Sequence, residues 1–315
     1  MTAIRRALLF VNIHKKNARA LAEEIRAELE SRGVRACSFD FEKGGGLIPG
    51  DSYDVAFTLG GDGTVLYAAR AMAARGVPII PVNLGTFGFI ATVQPENWKT
   101  VLEQWETGSA LVSRRFMLEV AVERRGKQLV LGPCLNDAVI SALGIAKIIR
   151  LSVESVIPPP ADGYGGEFLR LGEYRSDGLI IATPTGSTAY SVASGGPILE
   201  PEMEAIIINP ICPFTLSNRP IVLSPREMVI VTVEEEQRSG VLLTIDGQVT
   251  EALEPGDRIH VREAPFSAML VASGRRAFYE ALRTKLAWSL PGAGPGTGPG
   301  AGLGSGTLRQ EGAGG

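Results

Sequence analysis

Residues 58–70 read TLGGDGTVLYAAR, and they follow directly from the apolar run DVAFTL at 54–59. The pattern is a strand, a turn holding three glycines and one aspartate, and then the start of a helix. Glycine permits φ > 0 and lets a ligand come close to the backbone. At the carboxyl end of a parallel strand, ahead of a helix N-terminus, exposed amides make an anion site. Gly60, Gly61, Gly63 and Thr64 are therefore the candidate phosphate-binding turn. The spacing matches neither G-x-x-x-x-G-K-[ST] nor G-x-G-x-x-G, and no lysine follows Gly63. Asp62 has two readings. It caps the helix, or it serves a ligand, since a cap does not need clearance from three flanking glycines. A carboxylate next to phosphates requires a divalent cation or a substrate hydroxyl between them. Both options point to phosphoryl transfer, with Asp62 receiving or orienting a hydroxyl proton.

Outward from this turn the chain alternates strand and helix. Residues 7–13 form an apolar strand, and Ala18, Leu21, Ala22, Ile25 and Leu29 keep helical spacing up to Gly33, a C-cap. A helix is expected over 64–75, a strand over 77–83, and a short amphipathic helix around Trp98, Val101, Leu102 and Trp105. Apolar strands between helices imply an open, mainly parallel, Rossmann-like sheet covered on both faces. From about residue 113 the period becomes two. Phe116, Leu118, Val120 and Val122 alternate with Met117, Glu119, Ala121 and Glu123, and short strand candidates recur up to AMLVA near 272. That density predicts an all-β, sandwich-like second domain. The expected organisation is an α/β domain over 1–112, a β-rich domain over 113–272, a C-terminal helix over 273–290 returning to the first domain, and a flexible Gly/Pro-rich tail over 291–315.

Composition removes several classes. A formal net charge of −3 over 315 residues offers no field for gathering nucleic acid or an anionic membrane. The apolar run after Arg5 and Arg6 is too short for a signal peptide and lacks a cleavage site, and no stretch approaches the roughly 20 residues of a membrane span. Cys37, Cys134 and Cys212 lie far apart without a paired motif, which suits reduced thiols and a cytoplasmic setting.

Three further segments carry chemistry. NLGTFGFIAT (83–92) offers Gly85, Gly88 and Phe89 as a ligand wall, CLNDAVI (134–140) places Asn136 beside Asp137, and YRSDGLIIATPTGSTAYSVASGGP (174–197) joins a strand to a Thr/Ser/Gly-rich turn. GGDGT alone resembles a motif shared by NAD kinases, diacylglycerol-type lipid kinases and, as GGDGS, phosphofructokinases. With SDGLIIATPTGSTAYS, NPICPFTLSNRP (209–220), TIDGQ (244–248) and TKLAWS (284–289), the chain resembles the NAD kinase family over about residues 5–290.

The resemblance implies the reaction ATP + NAD → ADP + NADP. Asp62 would face the adenosine ribose 2′-hydroxyl, and a divalent cation, expected to be Mg²⁺, would arrive with ATP without a dedicated protein cage. Asn136 and Thr188 can serve adenine, Asp137 a ribose diol, and Phe89 and Tyr190 flat apolar surface. The turn residues Ala189, Ser191, Val192 and Ala193 line the same site, with Gly63 and Gln248 near the phosphates or ribose. Asp177 is implied at the nicotinamide end from a neighbouring subunit of a dimer or tetramer, while Lys147 and Arg175 are candidate cations for the pyrophosphate. The family commonly has Asn-Glu where this chain has Asn136-Asp137, one methylene shorter, and VIPPPADGYGGEF (156–168) is longer than usual and reads as a surface loop. A lipid or sugar kinase sharing the turn, or a non-catalytic dinucleotide sensor, are the competing functions.

Overall fold

A computed structural model of the chain describes residues 4–41, 48–50, 52–86, 88–144, 147–157, 166–215 and 218–286. The first unit runs β1 (Arg6–Asn12), α1 (Ala18–Ser31), β2 (Arg35–Phe41), β3 (Val55–Gly60), α2 (Asp62–Met72), β4 (Ile79–Asn83), α3 (Trp98–Thr107) and β5 (Val112–Arg115). Strands β2-β1-β3-β4 lie side by side and parallel. Every position of β3 and β4 is buried, which is why they read as near-continuous apolar runs without alternation. Alternate residues of the sheet point to opposite layers. Leu9, Phe57 and Val82 meet Ile25 and Leu29 of α1 and Trp98 and Leu102 of α3. Leu8, Ala56 and Ile79 meet Val65, Ala69 and Met72 of α2.

The chain leaves β1 for β2 on one side, then crosses to β3 and β4 on the other. The carboxyl ends of β1 and β3 thus mark the reversal point at which open α/β sheets hold ligands. Asn12 ends β1 there and Gly60 ends β3.

The second unit comprises β6 (Leu118–Arg124), β7 (Lys127–Cys134), β8 (Asp137–Ala142), β9 (Ile149–Ile157), β10 (Glu167–Ser176), β11 (Gly178–Ala182), α4 (Tyr190–Ala193), β12 (Ile206–Ile211), β13 (Ile221–Leu223), β14 (Met228–Val233), β15 (Val241–Ile245), β16 (Val249–Leu253) and β17 (Arg258–Glu263). They form two antiparallel sheets, β10-β9-β14-β17-β6-β7 and β13-β12-β11-β8-β15-β16. Val120, Leu151, Val153 and Val231 of the first share one core with Ile140, Leu179, Ile181 and Leu243 of the second. This is the sandwich that the period-two pattern predicts.

Three details differ from the sequence expectation. Residues 35–41, not assigned to a strand, pair in parallel with β1, and their polar Arg35, Ser38 and Asp40 suit the sheet edge they occupy. AMLV, expected among the sandwich strands, is instead β18 (Ala268–Val271), which pairs with β4 and β5 in the first sheet. A four-residue apolar run has no alternation to say which sheet it joins. Helix α2 begins at Asp62, two residues earlier than its apolar periodicity suggests, with a 3₁₀ turn, Ala73–Arg75, behind it. After β18, α5 (Arg275–Leu286) returns to the first unit, its Phe278 ring 6.4 Å from that of Phe89. Residues 287–290 of the expected helix, the tail 291–315 and residues 158–165 of the long loop lie outside the described residues. Among the described residues, no helix is long and apolar enough to cross a membrane.

Candidate active site

At the mouth of the first sheet, Gly61 is the N-cap of α2 and no side chain caps the helix, so the capping reading of Asp62 fails. The half-buried Asp62 carboxylate turns instead to the loop after β4. It accepts hydrogen bonds from the amides of Phe89 (3.0 Å), Ile90 (3.2 Å) and Ala91 (2.9 Å). A carboxylate offers about four lone-pair sites, so three amides leave one for a ligand hydroxyl. Gly88 permits this approach: a β-carbon there would stand 2.0 Å from Asp62 Oδ1. On the other flank, a β-carbon at Gly60 would stand 2.2 Å from Thr64 Oγ1. Thr64 Oγ1 also accepts a long bond, 3.5 Å, from Asn12 Nδ2, which ties the ends of β1 and β3 together. Gly61 and Gly63 have open space or only a distant neighbour around the position of a β-carbon.

The sandwich closes over this turn through Gln248, whose Nε2 donates to the Gly63 carbonyl at 2.8 Å. Gln248 follows Asp246-Gly247, both at positive φ (50° and 65°), the Asp-Gly pair that a tight type I′ hairpin favours. The fully buried Asp246 carboxylate accepts from the amides of Leu135 (3.0 Å), Asn136 (2.8 Å) and Asp137 (3.2 Å). The carbonyl of Asn136 then receives the Thr183 amide at 2.8 Å, and a β-carbon at Gly186 would stand 2.1 Å from that same oxygen. One continuous set of contacts therefore links Asp62 and Gly63 through Gln248 and Asn136–Asp137 to the turn that carries Thr188, Ala189 and Tyr190.

Several polar atoms in this set have no partner among the described residues. Asn136 Oδ1 and Gln248 Oε1 are buried without a hydrogen bond. Asp137 beside them is buried, 6% exposed as a residue. Burial first, and then neighbouring Asp246, push the Asp137 carboxyl from 3.8 to about 7. Unpaired buried acceptors are costly, so such a group calls for a donor from outside the chain. The Tyr190 side chain is 46% exposed and free to meet one.

Other predicted residues are placed differently. Ser191 is buried and its hydroxyl accepts from Asn209 Nδ2 at 3.3 Å, so it builds the turn, while Val192 and Ala193 lie beside it on α4. The Phe89 ring already has company, with Lys285 Nζ 4.9 Å from its centroid as well as Phe278. Lys147, Arg175 and Asp177 are not brought to Asp62 within the chain. Ala182 pairs with Asp137 but Gly178 pairs with Ser141. Asp177 therefore lies about 17 Å along β11 from the Asp137 end, at roughly 3.4 Å per residue. Arg175 lines a cavity of about 180 Å³ at that far end with Arg150, Phe214 and Arg238. Sequence reasoning missed Asp246 and Arg70, whose Nη1 stands 3.5 Å from Asp246 Oδ2. The Asp-Gly hairpin inside TIDGQ was the available signal for the first, and nothing local marks the second.

A glycine turn with a poised carboxylate, facing a sandwich with unpaired polar atoms, defines a nucleotide-binding phosphotransferase. Comparison with known proteins agrees. Residues 9–110 match the ATP-NAD kinase N-terminal domain and residues 163–273 the ATP-NAD kinase C-terminal domain. The chain is 38% identical over 288 residues to an NAD kinase of Treponema denticola, covering 91% of this chain and 97% of that one. It is 41% identical over 293 residues to an NAD kinase of Geobacter sulfurreducens, covering 90% and 99%. In fold it resembles yeast NADH kinase complexed with NADH, with TM-score 0.77 and 24% identity over 91% of this chain and 88% of that one. The chain belongs to the ATP-NAD kinase family.

Proposed function

We propose that this chain transfers the γ-phosphoryl group of ATP to the adenosine ribose 2′-hydroxyl of NAD, giving NADP and ADP, with Asp62 as the proton acceptor. The observation that carries this reading is the Asp62 carboxylate, fixed by three amides with one acceptor site left, beside an open glycine turn. A hydroxyl bound there is aligned before reaction, and alignment is most of what a loose phosphoryl-transfer transition state asks of a protein. Asn136 Oδ1 accepts from the adenine amino group, and Asp137 accepts from the second ribose diol. The amides of Gly61 and Gly63 meet phosphate oxygens.

Asp62 is the carboxylate on the turn, and it presents oxygen donors there. Such a set suits a cation carried by the substrate phosphates, Mg²⁺, which neutralises charge on the transferring group when bound. Asp177, with Arg175 and Lys147, serves the nicotinamide and pyrophosphate end of a neighbouring copy in a homo-oligomer. Their distance from Asp62 within one chain supports that assignment.

The test is incubation of the purified protein with ATP, Mg²⁺ and NAD, with ³¹P NMR of the product. A new phosphomonoester at the 2′ position is expected. Phosphorylation of a lipid or sugar alcohol with none of NAD, or NAD binding without turnover, would overturn the reading.

A further inference from the structure

Two ties join α2 to the hairpin turn of residues 245–248. At the front of the helix Gln248 holds the Gly63 carbonyl. Seven residues further on, Arg70 reaches the same hairpin from behind, with Nη1 3.5 Å from Asp246 Oδ2. The Arg70 side chain is 13% exposed and that of Asp246 is fully enclosed. Arg70 Nη1 makes no hydrogen bond of its own, and its guanidinium carbon lies 5.7 Å from the Tyr67 ring centroid, a stacking that fixes its direction. Asp246 in turn holds the amides of Leu135, Asn136 and Asp137.

We infer that Arg70 is a positioning residue for the phosphoryl transfer: through Asp246 it sets the separation between the Asp62 end of α2 and the nucleoside seat at Asn136–Asp137. The seat has stitches independent of Arg70. The Asn136 carbonyl binds the Thr183 amide, and the Thr183 hydroxyl accepts the Gly186 amide at 3.1 Å. Removing the cation therefore leaves the seat formed but frees the helix to shift against it. A base about 1 Å out of place costs on the order of 10²-fold in rate, so the loss appears in turnover more than in affinity.

This inference rests on the phosphoryl-transfer reading, which wild-type NADP formation in the same assay tests separately. The experiment compares Arg70→Met, Arg70→Lys, Asp246→Asn and the Arg70→Met/Asp246→Asn double variant. Turnover is followed by NADP formation, NAD affinity by calorimetry and folding by melting. Arg70→Met is expected to lose at least about 10-fold in kcat, with NAD affinity within about 3-fold of wild type, which is roughly 0.7 kcal/mol. Arg70→Lys regains part of that loss by restoring the charge. In the Asp246→Asn background, Arg70→Met costs little more, because the partner through which it acts is already neutral. If Arg70→Met fails to fold, Arg70→Lys against wild type carries the test: a lower kcat with NAD affinity kept is expected, and an unchanged kcat overturns the assignment. Full turnover in Arg70→Met, no recovery in Arg70→Lys, or losses that simply multiply in the double variant would each overturn the assignment.

Discussion

Replacing Gly88 by alanine tests the site where its geometry is tightest. The added β-carbon would lie 2.0 Å from Asp62 Oδ1, 2.8 Å from Cγ and 3.0 Å from Oδ2. Ordinary contact begins near 3.4 Å, so carboxylate and loop must part by about 1.4 Å. The carboxylate cannot swing away freely, because the amides at 3.0, 3.2 and 2.9 Å hold it from the same loop. A separation of that size carries these bonds past hydrogen-bonding distance, and each charge-assisted bond is worth about 1.5–3 kcal/mol. It also misplaces the proposed proton acceptor by more than 1 Å, which predicts a kcat loss on the order of 10². The assay is steady-state NADP formation, with melting and calorimetric NAD binding on the same preparations. A folded Gly88→Ala enzyme within about 3-fold of wild-type kcat would refute the reasoning, since the rate would not depend on where Asp62 is held.

Other outcomes follow from the same contacts. A β-carbon at Gly61 meets nothing within 4 Å, so Gly61→Ala should change stability by no more than about 0.5 kcal/mol while raising KM for ATP. An unchanged KM would remove that turn from the phosphate site. The Asp137 carboxyl is raised to about 7, and in the proposed diol contact only the ionised form offers both oxygens as acceptors. NAD affinity should therefore rise about tenfold between pH 6 and pH 8, with a flat profile the contrary result. Because the folded state keeps a proton that the unfolded chain gives up above 3.8, this group's contribution to stability declines as pH climbs from about 4 to 7 and then levels off. Asp137→Asn should abolish that slope in a melting series. Finally, if Asp177 serves a neighbouring copy, mixing inactive Asp62→Asn with inactive Asp177→Ala subunits should restore activity, and a mixture as inactive as its parts would place both residues in one chain's site.

Much of the fold was legible because burial writes itself into the pattern. Strands buried on both faces, such as 55–60 and 79–83, leave near-continuous apolar runs, and half-buried sandwich strands leave alternation. What was hidden depends on partners distant in the chain. Residues 268–271 are apolar enough for either sheet, and only the return path to α5 puts them beside β4. The glycine turn pointed to a ligand through the open space at Gly61 and Gly63, whereas Gly60 makes room for Thr64 and Gly88 for Asp62. It did not announce that residues 89–91 would hold that carboxylate, since amides leave no mark in the side-chain pattern. Arg70 and Asp246, 3.5 Å apart in space, are far apart in the chain; the Asp-Gly hairpin marks Asp246, but Arg70 alone reads as an ordinary surface charge. Ser191 adds a structural role that the Thr/Ser-rich turn did not announce, since its hydroxyl accepts from Asn209 inside the protein.

The central claim is that the Asp62 carboxylate takes part in moving the phosphoryl group, beyond shaping its surroundings. Asp62→Asn keeps the size of the side chain and an oxygen for the amides of Ile90 and Ala91, gives up the acceptor facing Phe89, and removes the proposed base. Single-turnover NADP formation by this variant, alongside calorimetric NAD binding, is the direct measurement. Retained NAD binding and a rate lower by at least about 10² are expected; a folded Asp62→Asn protein that forms NADP at close to the wild-type rate would contradict a role for Asp62 in the transfer.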